Sequence, residues 1–399
     1  MKIGFMRSML LFLVLVSNIS YASPITNKPW TVLIYIAAAN DLNPYALYDL
    51  QEMLEVGSTP FVNVIVYLTI QQPGQKKQTK KLYIEKDKIT QIGPVLQRDS
   101  GDVATFSEAL QWACLDYPSE KFAVIMWDHG SGALNRHKVM ERGVCYDYDT
   151  GHYLTDQDCL TAFSWVCNTL RGGKKIDIIA CDACLLASLE LAYTFASCAD
   201  YYVASEETIP GAGFQYAYLL SQVSKENMDP LSFARWMIDA YNREYAGTLN
   251  YTLSITDLTK VQALVDNVNA VGQILASQLK TKNFSSVKAI IKKSIREEAC
   301  ISFDQGNYID LLQFYKNILK NAASLKLQKV YENQFKQLLL AGINLFPIVV
   351  PMQVMSKNYR GVGGLSLYFS RHAIDPSYYG LYWTKKNPMW LTFLEAYAG

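Results

Sequence analysis

The sequence predicts an α/β protein with a mostly parallel sheet covered by helices on both faces. Strand-like apolar runs alternate along the chain with helix-like segments, and this alternation is typical of parallel sheets. The runs are nearly continuous in apolar residues, as expected for strands buried on both sides. Core strands are predicted at residues 31–38, 61–68, 122–127, 176–180 and 201–204.

Helices are predicted between these strands. Asn43 is followed by Pro, which predicts a helix start with Asn43 as its cap. Thr105 and Glu108 have the spacing of a capping box, which predicts a second helix start. A third helix is predicted over residues 155–170, and a fourth is predicted to begin at Cys184.

The N-terminus is typical of an export signal. Lys2 and Arg7 precede an apolar run at residues 9–16, and small residues near Ala22 fit a cleavage site. The run is shorter than the roughly 20 apolar residues that cross a bilayer. We therefore expect residues 1–22 to be removed and the mature protein to be soluble, and either secreted or periplasmic.

Two regions are predicted after the signal. Residues 24–225 carry the strand and helix alternation, with a polar edge hairpin at 81–85 and 89–92. Residues 226–399 combine long amphipathic helices with isolated strands at 251–255, 348–354 and 365–369, which predicts an α+β region packed on the first domain.

Composition limits the classes of partner. The chain has 399 residues, of which 50% are hydrophobic and 18% charged, with a formal net charge of +1. A chain of this length and apolarity can bury a large core. Its near-zero net charge gives no overall attraction to nucleic acid or anionic membrane, so we expect neither as a partner. The oligomeric state cannot be read from the sequence.

The cysteines do not form the pattern of a small disulfide framework. The chain has 8 Cys, and export would permit disulfides, but a protein of this length does not need them. Most are expected to be small buried apolar residues. Cys181 and Cys184 have the C-x-x-C spacing of redox or zinc motifs, but no second such pair accompanies them.

His129 and Cys184 are the candidates for catalysis. Each lies just past the predicted carboxyl end of a parallel strand, where open α/β sheets hold their ligands. A helix start at Cys184 would favour its thiolate. His129 could then act on a leaving group while Cys184 attacks a carbonyl carbon. Backbone N–H groups of Gly130 and Cys184 would hold the oxyanion, and Gly132 adds backbone freedom.

Two other interpretations of these segments are weaker. The Gly130-Ser131-Gly132 run is not the G-x-S-x-G motif of serine hydrolases, because His129 stands where its first Gly should be. A metal site usually requires more than one His. The side chains available for such a site are Asp128, His129, Asp147 and Asp149.

Ordered segments along most of the mature chain resemble the clostripain-like cysteine peptidases, part of the group that includes caspases, legumains, gingipains and separases. A set of motifs in this order is far more specific than any one motif. The segments are Trp30-Thr31-Val32-Leu33-Ile34-Tyr35, Asn40-Asp41-Leu42, Trp127-Asp128-His129-Gly130-Ser131-Gly132, Asp182-Ala183-Cys184-Leu185, Ala204-Ser205-Glu206-Glu207, Pro210-Gly211 with Gly213, and Gly364-Leu365-Ser366-Leu367-Tyr368-Phe369.

The resemblance implies a caspase-like fold and an endopeptidase that cleaves after Arg or Lys through a thioester. His129 matches the catalytic His, Cys184 the nucleophile, and Asp182 the residue that lines the primary specificity pocket. A carboxylate there would favour a basic side chain, although Asp182 could equally cap a helix. Glu206 and Glu207 could add charge at the pocket rim or be solvated loop acids.

The resemblance also implies features of activation. Some relatives are cut internally, and here the candidate loop carries Arg136, Lys138 and Arg142. Some require calcium, for which Asp147 and Asp149 are too few to identify a site; no cofactor is required for the chemistry. Peptides or proteins are the implied substrates.

One residue departs from the family pattern. Cys181, next to the specificity residue, could fill the core or form an inactivating disulfide, and we favour the core. Two other function classes are left open: a catalytically inactive secreted relative that binds peptides, and a metal-dependent hydrolase.

Overall fold

The computed structural model describes residues 27–132, 143–248, 250–282, 284–325, 329–371 and 373–399. The predicted signal at residues 1–22 lies outside these ranges. So do Arg136, Lys138 and Arg142, the basic residues of the predicted processing loop.

Strands and helices alternate through the first half of the described chain. The strands are β1 (Lys28–Ala38), β2 (Val62–Ile70), β3 (Gln78–Glu85), β4 (Lys88–Leu96), β5 (Ser119–Trp127), β6 (Val144–Asp147), β7 (His152–Leu154), β8 (Ile176–Asp182), β9 (Ala199–Ala204), β10 (Thr252–Asp257), β11 (Ser302–Phe303), β12 (Tyr308–Asp310), β13 (Met352–Met355) and β14 (Ser366–Tyr368). The helices are α1 (Asn43–Val56), α2 (Val103–Asp116), α3 (Asp156–Trp165), α4 (Leu189–Phe195), α5 (Tyr216–Val223), α6 (Pro230–Tyr245), α7 (Val261–Leu279), α8 (Phe284–Ser294), α9 (Leu311–Asn321), α10 (Lys329–Val349), α11 (Tyr382–Lys386) and α12 (Pro388–Ala398).

The main sheet has nine strands in the order β13-β10-β9-β8-β5-β1-β2-β3-β4. The five central strands, from β9 to β2, run parallel to one another. Antiparallel strands extend both sides, with β3 and β4 at one edge and β10 and β13 at the other. The predicted α/β class with a mostly parallel sheet is confirmed. Because β10 and β13 follow residue 226, both predicted regions contribute strands to this one sheet.

The central strands are buried on both faces because helices cover each side. Along β1, the side chains of Leu33 and Tyr35 pack into one core with residues of α2, α3 and α7, while Val32 and Ile34 pack into the other with residues of α1, α5 and α6. Burying one such side chain stabilises a fold by about 1.5–3 kcal/mol. This two-sided burial explains the nearly continuous apolar runs in the sequence.

Helix boundaries differ from the sequence prediction at two starts. Asn43 is the first residue of α1 rather than its cap, and its side-chain amide donates to the Asn40 carbonyl at 2.8 Å. The second helix begins earlier than predicted, because Asp102 caps α2 by accepting from the Ala104 N–H. Thr105 therefore lies inside that helix. The predicted start of the third helix is correct, since Thr155 caps α3 in a capping box.

Two segments differ in type from their prediction. Strands β6 and β7 form a hairpin over residues 144–154, where the sequence analysis assigned no strand. Residues 348–354 were predicted as a strand, but α10 continues to Val349 and β13 begins only at Met352. Among the described helices, none combines the length and apolarity needed to cross a bilayer.

Candidate active site

The register between β5 and β8 brings the predicted catalytic residues to the same edge of the sheet. Trp127, the last residue of β5, pairs with Asp182, the last residue of β8. The Asp128 N–H donates to the Asp182 carbonyl at 3.2 Å, which continues the pairing by one residue. His129 and Cys184 each follow two residues after this paired position. Both therefore lie at the carboxyl end of the parallel strands, where open sheets bind ligands.

A cleft of about 170 Å³ opens at this edge. Its lining joins residues from the ends of β5 and β8 to the segment between β9 and α5. The residues that matter chemically are His129, Asp182 and Cys184, and Leu42, Trp127 and Ile209 contribute apolar walls.

Cys184 does not begin a helix, so that prediction is wrong. Leu185 adopts a positive φ of 63°, and α4 starts only at Leu189, where Ser188 accepts from the Leu191 N–H as cap. The chain must turn sharply after β8 before it can become helical. Cys184 is therefore not the first residue of α4, and its sulfur does not gain the stabilisation that this helix start was expected to supply.

The surroundings of Cys184 favour its thiol form. Burial raises the pKa of this thiol, and the negative charges of Asp182 and Glu207 raise it further, while hydrogen bonds from the Ile209 and Gly130 N–H groups lower it in part. The Ile209 N–H lies 3.3 Å from the sulfur. A nucleophilic sulfur at this position therefore needs a partner that accepts its proton.

His129 is held by a carboxylate that the sequence analysis did not assign. Nε2 of His129 lies 2.8 Å from Oδ1 of Asp41. Burial alone would raise the pKa of Asp41, but the hydrogen bond and charge of His129 bring it below its ordinary value. The ring of Tyr148 lies parallel to the imidazole, with ring centroids 6.1 Å apart. The sequence signal for Asp41 was its place just after β1, the strand beside β5.

Gly130 approaches the backbone of Cys184 so closely that no side chain fits. A Cβ atom at residue 130 would lie 2.3 Å from the Cys184 carbonyl oxygen. The turn that follows β5 is also held by the side chain of Asp128. The Asn40 amide donates to Oδ1 of this carboxylate at 2.6 Å, and the Tyr146 N–H donates to Oδ2. The two predicted oxyanion residues, Gly130 and Cys184, are thus adjacent in space.

Asp182 lines the cleft and does not cap a helix. Its Oδ2 accepts from the Phe214 N–H at 2.9 Å and from the Tyr216 hydroxyl at 3.0 Å. Burial raises the pKa of Asp182 to about 7, despite these two hydrogen bonds. Gly213 passes next to this carboxylate, where a Cβ would lie 2.6 Å from Oδ2.

Two further buried carboxyl groups, also missed by the sequence analysis, lie behind Asp182 on α1. Oδ2 of Asp49 accepts from the Trp127 indole N–H at 2.6 Å. Glu52 accepts from the Tyr216 N–H at 2.7 Å. Burial and the charge of Asp182 raise the pKa of Asp49 to about 9. The sequence signal was the presence of two acidic residues in a helix that also carries apolar residues, but only the fold shows that they lie close to Asp182.

Neither Glu206 nor Glu207 lines the cleft, although Glu207 is near enough for its charge to raise the pKa of Cys184. Glu206 is 1% exposed, and burial and the nearby charge of Asp310 raise its pKa. Glu207 accepts a hydrogen bond from the Tyr359 hydroxyl. The reason is that Thr252 of β10 accepts from the N–H groups of both residues, which fixes this segment against the sheet.

Asp147 and Asp149 do not fit a calcium site in their present contacts. The Lys77 ammonium lies 2.8 Å from Asp147 and 3.3 Å from Asp149, so a positive charge already occupies their shared position. Asp147 also accepts from the Ser100 N–H at 3.0 Å. Calcium takes six to eight oxygen ligands, and no group of three or more acidic, His or Cys side chains suited to a metal occurs in the described part of the chain.

Cys181 is part of the core, as favoured from the sequence. It is fully buried, its thiol lies 3.6 Å from the Tyr202 hydroxyl, and burial raises its pKa to about 12. All eight cysteines lie in described ranges, and all are thiols in this structure.

Comparison with known proteins connects this chain to one family. The model of the clostripain family matches residues 34–359. Clostripain from Hathewaya histolytica is 22% identical over 420 residues, which cover 91% of this chain and 78% of that protein.

Solved structures share the fold. A secreted cysteine protease from Bacteroides thetaiotaomicron, in complex with an irreversible peptide inhibitor, superposes with a TM-score of 0.64 at 20% identity, covering 92% of this chain and 99% of that chain. An inactive zymogen protease from Parabacteroides distasonis gives a TM-score of 0.62 at 20% identity, with coverage of 92% and 99%. The caspase-like arrangement of sheet and helices is therefore common to these proteins.

Proposed function

We propose that this chain, which belongs to the clostripain family of cysteine peptidases, hydrolyses peptide bonds after Arg or Lys with Cys184 as nucleophile and His129 as its proton partner. The observation that supports this most directly is the shared cleft. A sulfur, an imidazole and the carboxylate of Asp182 line one cavity of about 170 Å³. A nucleophile, a base and a buried acid in one cavity fit covalent catalysis on a substrate with a basic side chain.

The chemistry would proceed in two stages. As the Cys184 sulfur bonds to the substrate carbonyl carbon, the thiol proton passes to His129. His129 then gives this proton to the amine as the C–N bond breaks, which leaves a thioester on Cys184. In the second stage His129 takes a proton from water, and the resulting hydroxide hydrolyses the thioester and restores the thiol. The raised pKa of Cys184 is the reason that the first proton transfer matters.

Charge on the substrate oxygen would be stabilised by the backbone N–H groups of Gly130 and Cys184. The contact between these two backbones, too close for a Cβ at residue 130, supports their joint role. Donors fixed in advance act without reorganisation in the transition state, and removal of one such donor costs about 10²–10³ in rate.

Asp41 would act as a positioning residue. Its contact with Nε2 of His129 fixes the orientation of the ring, and its negative charge stabilises the imidazolium formed when Cys184 loses its proton. Carboxylates that orient a catalytic imidazole have this effect in other hydrolases.

Selection of Arg or Lys would depend on Asp182. This carboxyl is almost completely buried in the cleft wall, where a guanidinium or ammonium group can form a charge-assisted hydrogen bond with it. Because its pKa is raised to about 7, an incoming cation would also favour loss of its proton.

We also propose export from the cytoplasm. The apolar N-terminal run and its preceding basic residues support it, and a structural relative is described as secreted. Mass determination of the natural protein from culture supernatant and periplasm would test it, with removal of about residues 1–22 as the expected result. Full-length protein in the cytoplasm alone would contradict export.

The catalytic proposal is tested with mature protein and short peptides that place Arg, Lys, Asp or Asn before a fluorescent leaving group. Release is expected after Arg and Lys, and the Cys184→Ala variant should release nothing while keeping its circular dichroism spectrum. Cys114→Ala is the matched control, because Cys114 is also partly exposed but lies on α2, away from the cleft. Turnover by Cys184→Ala, or no turnover of any peptide by the wild type, would contradict the proposal.

A further inference from the structure

Two buried cysteines outside the active site lie side by side. Cys167 is in the π-helical turn that follows α3, and Cys198 is in the turn between α4 and β9. Each of the two side chains influences the pKa of the other. The Cys167 sulfur also lies 3.3 Å from the Cys198 carbonyl oxygen. The Ile176 N–H donates to that same oxygen at 2.9 Å, which fixes the turn at the start of β8.

The surroundings of Cys198 stabilise a sulfur anion. The hydroxyl oxygens of Ser164 and Ser197 lie 3.2 Å and 3.4 Å from its sulfur. Lys175 adds a positive charge, and its ammonium is held near this turn by the Ala196 carbonyl at 2.7 Å. Its neighbour Cys167 and these further contacts lower the pKa of Cys198 to about 6, while the pKa of Cys167 is raised in return.

This environment distinguishes the pair from the other cysteines. The pKa of each remaining thiol is raised, in every case chiefly by burial. Thiolate character governs the rate at which a cysteine enters disulfide exchange. Cys198 is therefore the thiol best suited to start such an exchange, and Cys167 is the neighbour placed to complete it.

We propose that Cys167 and Cys198 form an intramolecular disulfide as the chain folds in an oxidising compartment, where a disulfide donor such as a thiol oxidoreductase reaches the pair before packing buries it. The Cys198 thiolate attacks one sulfur of the donor disulfide and expels the other as a thiolate. Cys167 then loses its proton and attacks the Cys198 sulfur, which releases the second donor thiolate. The two cysteines lose two electrons and two protons in total, and the donor is reduced to a dithiol.

The position of the bond gives it a structural consequence. The chain between residues 167 and 198 contains β8, the turn with Cys184, and α4. A disulfide that closes this segment restricts the unfolded chain and so stabilises the folded state. The disulfide would link the turn after α3 to the turn after α4, and Cys184 would remain a free thiol.

The test uses the mature chain exported to the periplasm of a bacterial host by a foreign signal sequence. The protein is purified without reductant, denatured in the presence of iodoacetamide, digested and examined by mass spectrometry. We expect peptides joined through Cys167 and Cys198, two hydrogens lighter than their sum, together with alkylated Cys184. Alkylation of both Cys167 and Cys198 before reduction, or a bond from either to another cysteine, overturns the inference.

Thermal unfolding gives a second measurement. Reduction with dithiothreitol should lower the Tm of the exported wild type by about 5 °C. The Cys198→Ala variant should show no such dependence on reductant, whereas the matched variant Cys159→Ala, which changes another buried cysteine, should keep it. A reductant-dependent shift that persists in Cys198→Ala overturns the inference. These readouts do not involve peptide cleavage, so failure of the catalytic proposal would leave them unchanged.

Discussion

Oδ1 of Asp41 lies 2.8 Å from Nε2 of His129, so a residue that follows β1 orients an imidazole presented by the end of β5. The carboxylate side chain is 69% exposed and the imidazole 23% exposed. Water therefore partly screens the attraction between the two side chains, and the effect of Asp41 on His129 depends more on the orientation that it gives the ring than on its charge.

We expect Asp41→Asn to lower kcat by about 10- to 100-fold with little change in KM, because the ring would lose its orienting carboxylate. The measurement is kcat and KM on an Arg peptide across pH 5–9. Asp116→Asn, at an exposed position on α2, removes the same charge far from the cleft and should behave as wild type. An Asp41→Asn variant with wild-type kcat and an unchanged pH profile would show that this contact is only structural.

Gly130→Ala should reduce kcat/KM by at least about 100-fold, because its Cβ would lie 2.3 Å from the Cys184 carbonyl oxygen and displace the proposed oxyanion donors. Gly380→Ala serves as control, since no atom lies within 4 Å of a Cβ there. Peptide hydrolysis and the circular dichroism spectrum are measured for both. Activity of Gly130→Ala within a few-fold of wild type would argue against this assignment of donors.

Asp182→Asn should lower kcat/KM for Arg and Lys peptides by about 10- to 100-fold, the value of one lost hydrogen bond to a charged group. For peptides with a neutral residue before the cleaved bond, kcat/KM should change much less. The ratio of the two rates is the measurement. A variant that loses thermal stability but keeps its preference for basic peptides would contradict the specificity role. Asp182 would then act mainly through the hydrogen bonds that it accepts from Phe214 and Tyr216.

Preference for basic peptides should depend on pH. Burial raises the pKa of Asp182 to about 7, so its charge is lost as the pH falls through 7. We expect kcat/KM for an Arg peptide to fall more steeply between pH 8 and 6 than kcat/KM for a neutral peptide of the same sequence. In Asp182→Asn this difference should vanish. Parallel pH profiles for both peptides in the wild type would exclude a titrating carboxyl in the pocket.

Asp49 should make the fold less stable at high pH. Its pKa is raised to about 9 in the folded protein, against about 3.9 in an unfolded chain, so the folded state binds the extra proton between these values. Stability from this group is present at low pH and declines as the pH rises from about 4 to 9. Asp49→Asn should lose less stability than wild type between pH 5 and pH 8 in urea unfolding. An equal loss in both proteins would contradict the buried protonated carboxyl.

The central sheet could be predicted from the sequence because its strands are buried on both faces. That burial requires the apolar runs of β1, β5 and β8, whose positions are readable without a structure. The helix starts were less predictable. Thr105 and Glu108 have the spacing of a capping box, yet Asp102 caps α2, because several polar residues near a helix start compete for the same N–H groups.

The positions of the candidate residues could be predicted where they depend on strand ends and were missed where they depend on packing. His129 and Cys184 follow apolar strands, which places them at the sheet edge. The helix start predicted at Cys184 failed because the chain needs a turn with positive φ at Leu185 before α4 can begin. Glu206 stands near the motif in sequence, but its contact with β10 directs it into the core.

By itself, the sequence determined the class of fold, the sheet edge that holds the candidate residues, and the residue types available there, because apolar periodicity and motif order are properties of the chain alone. Only the tertiary structure decided which charges act on one another. Asp41 contacts His129, and Asp49 lies behind Asp182, through the register and packing of elements distant along the chain. Electrostatic interactions depend on distance and burial in space, and neither is set by separation in sequence.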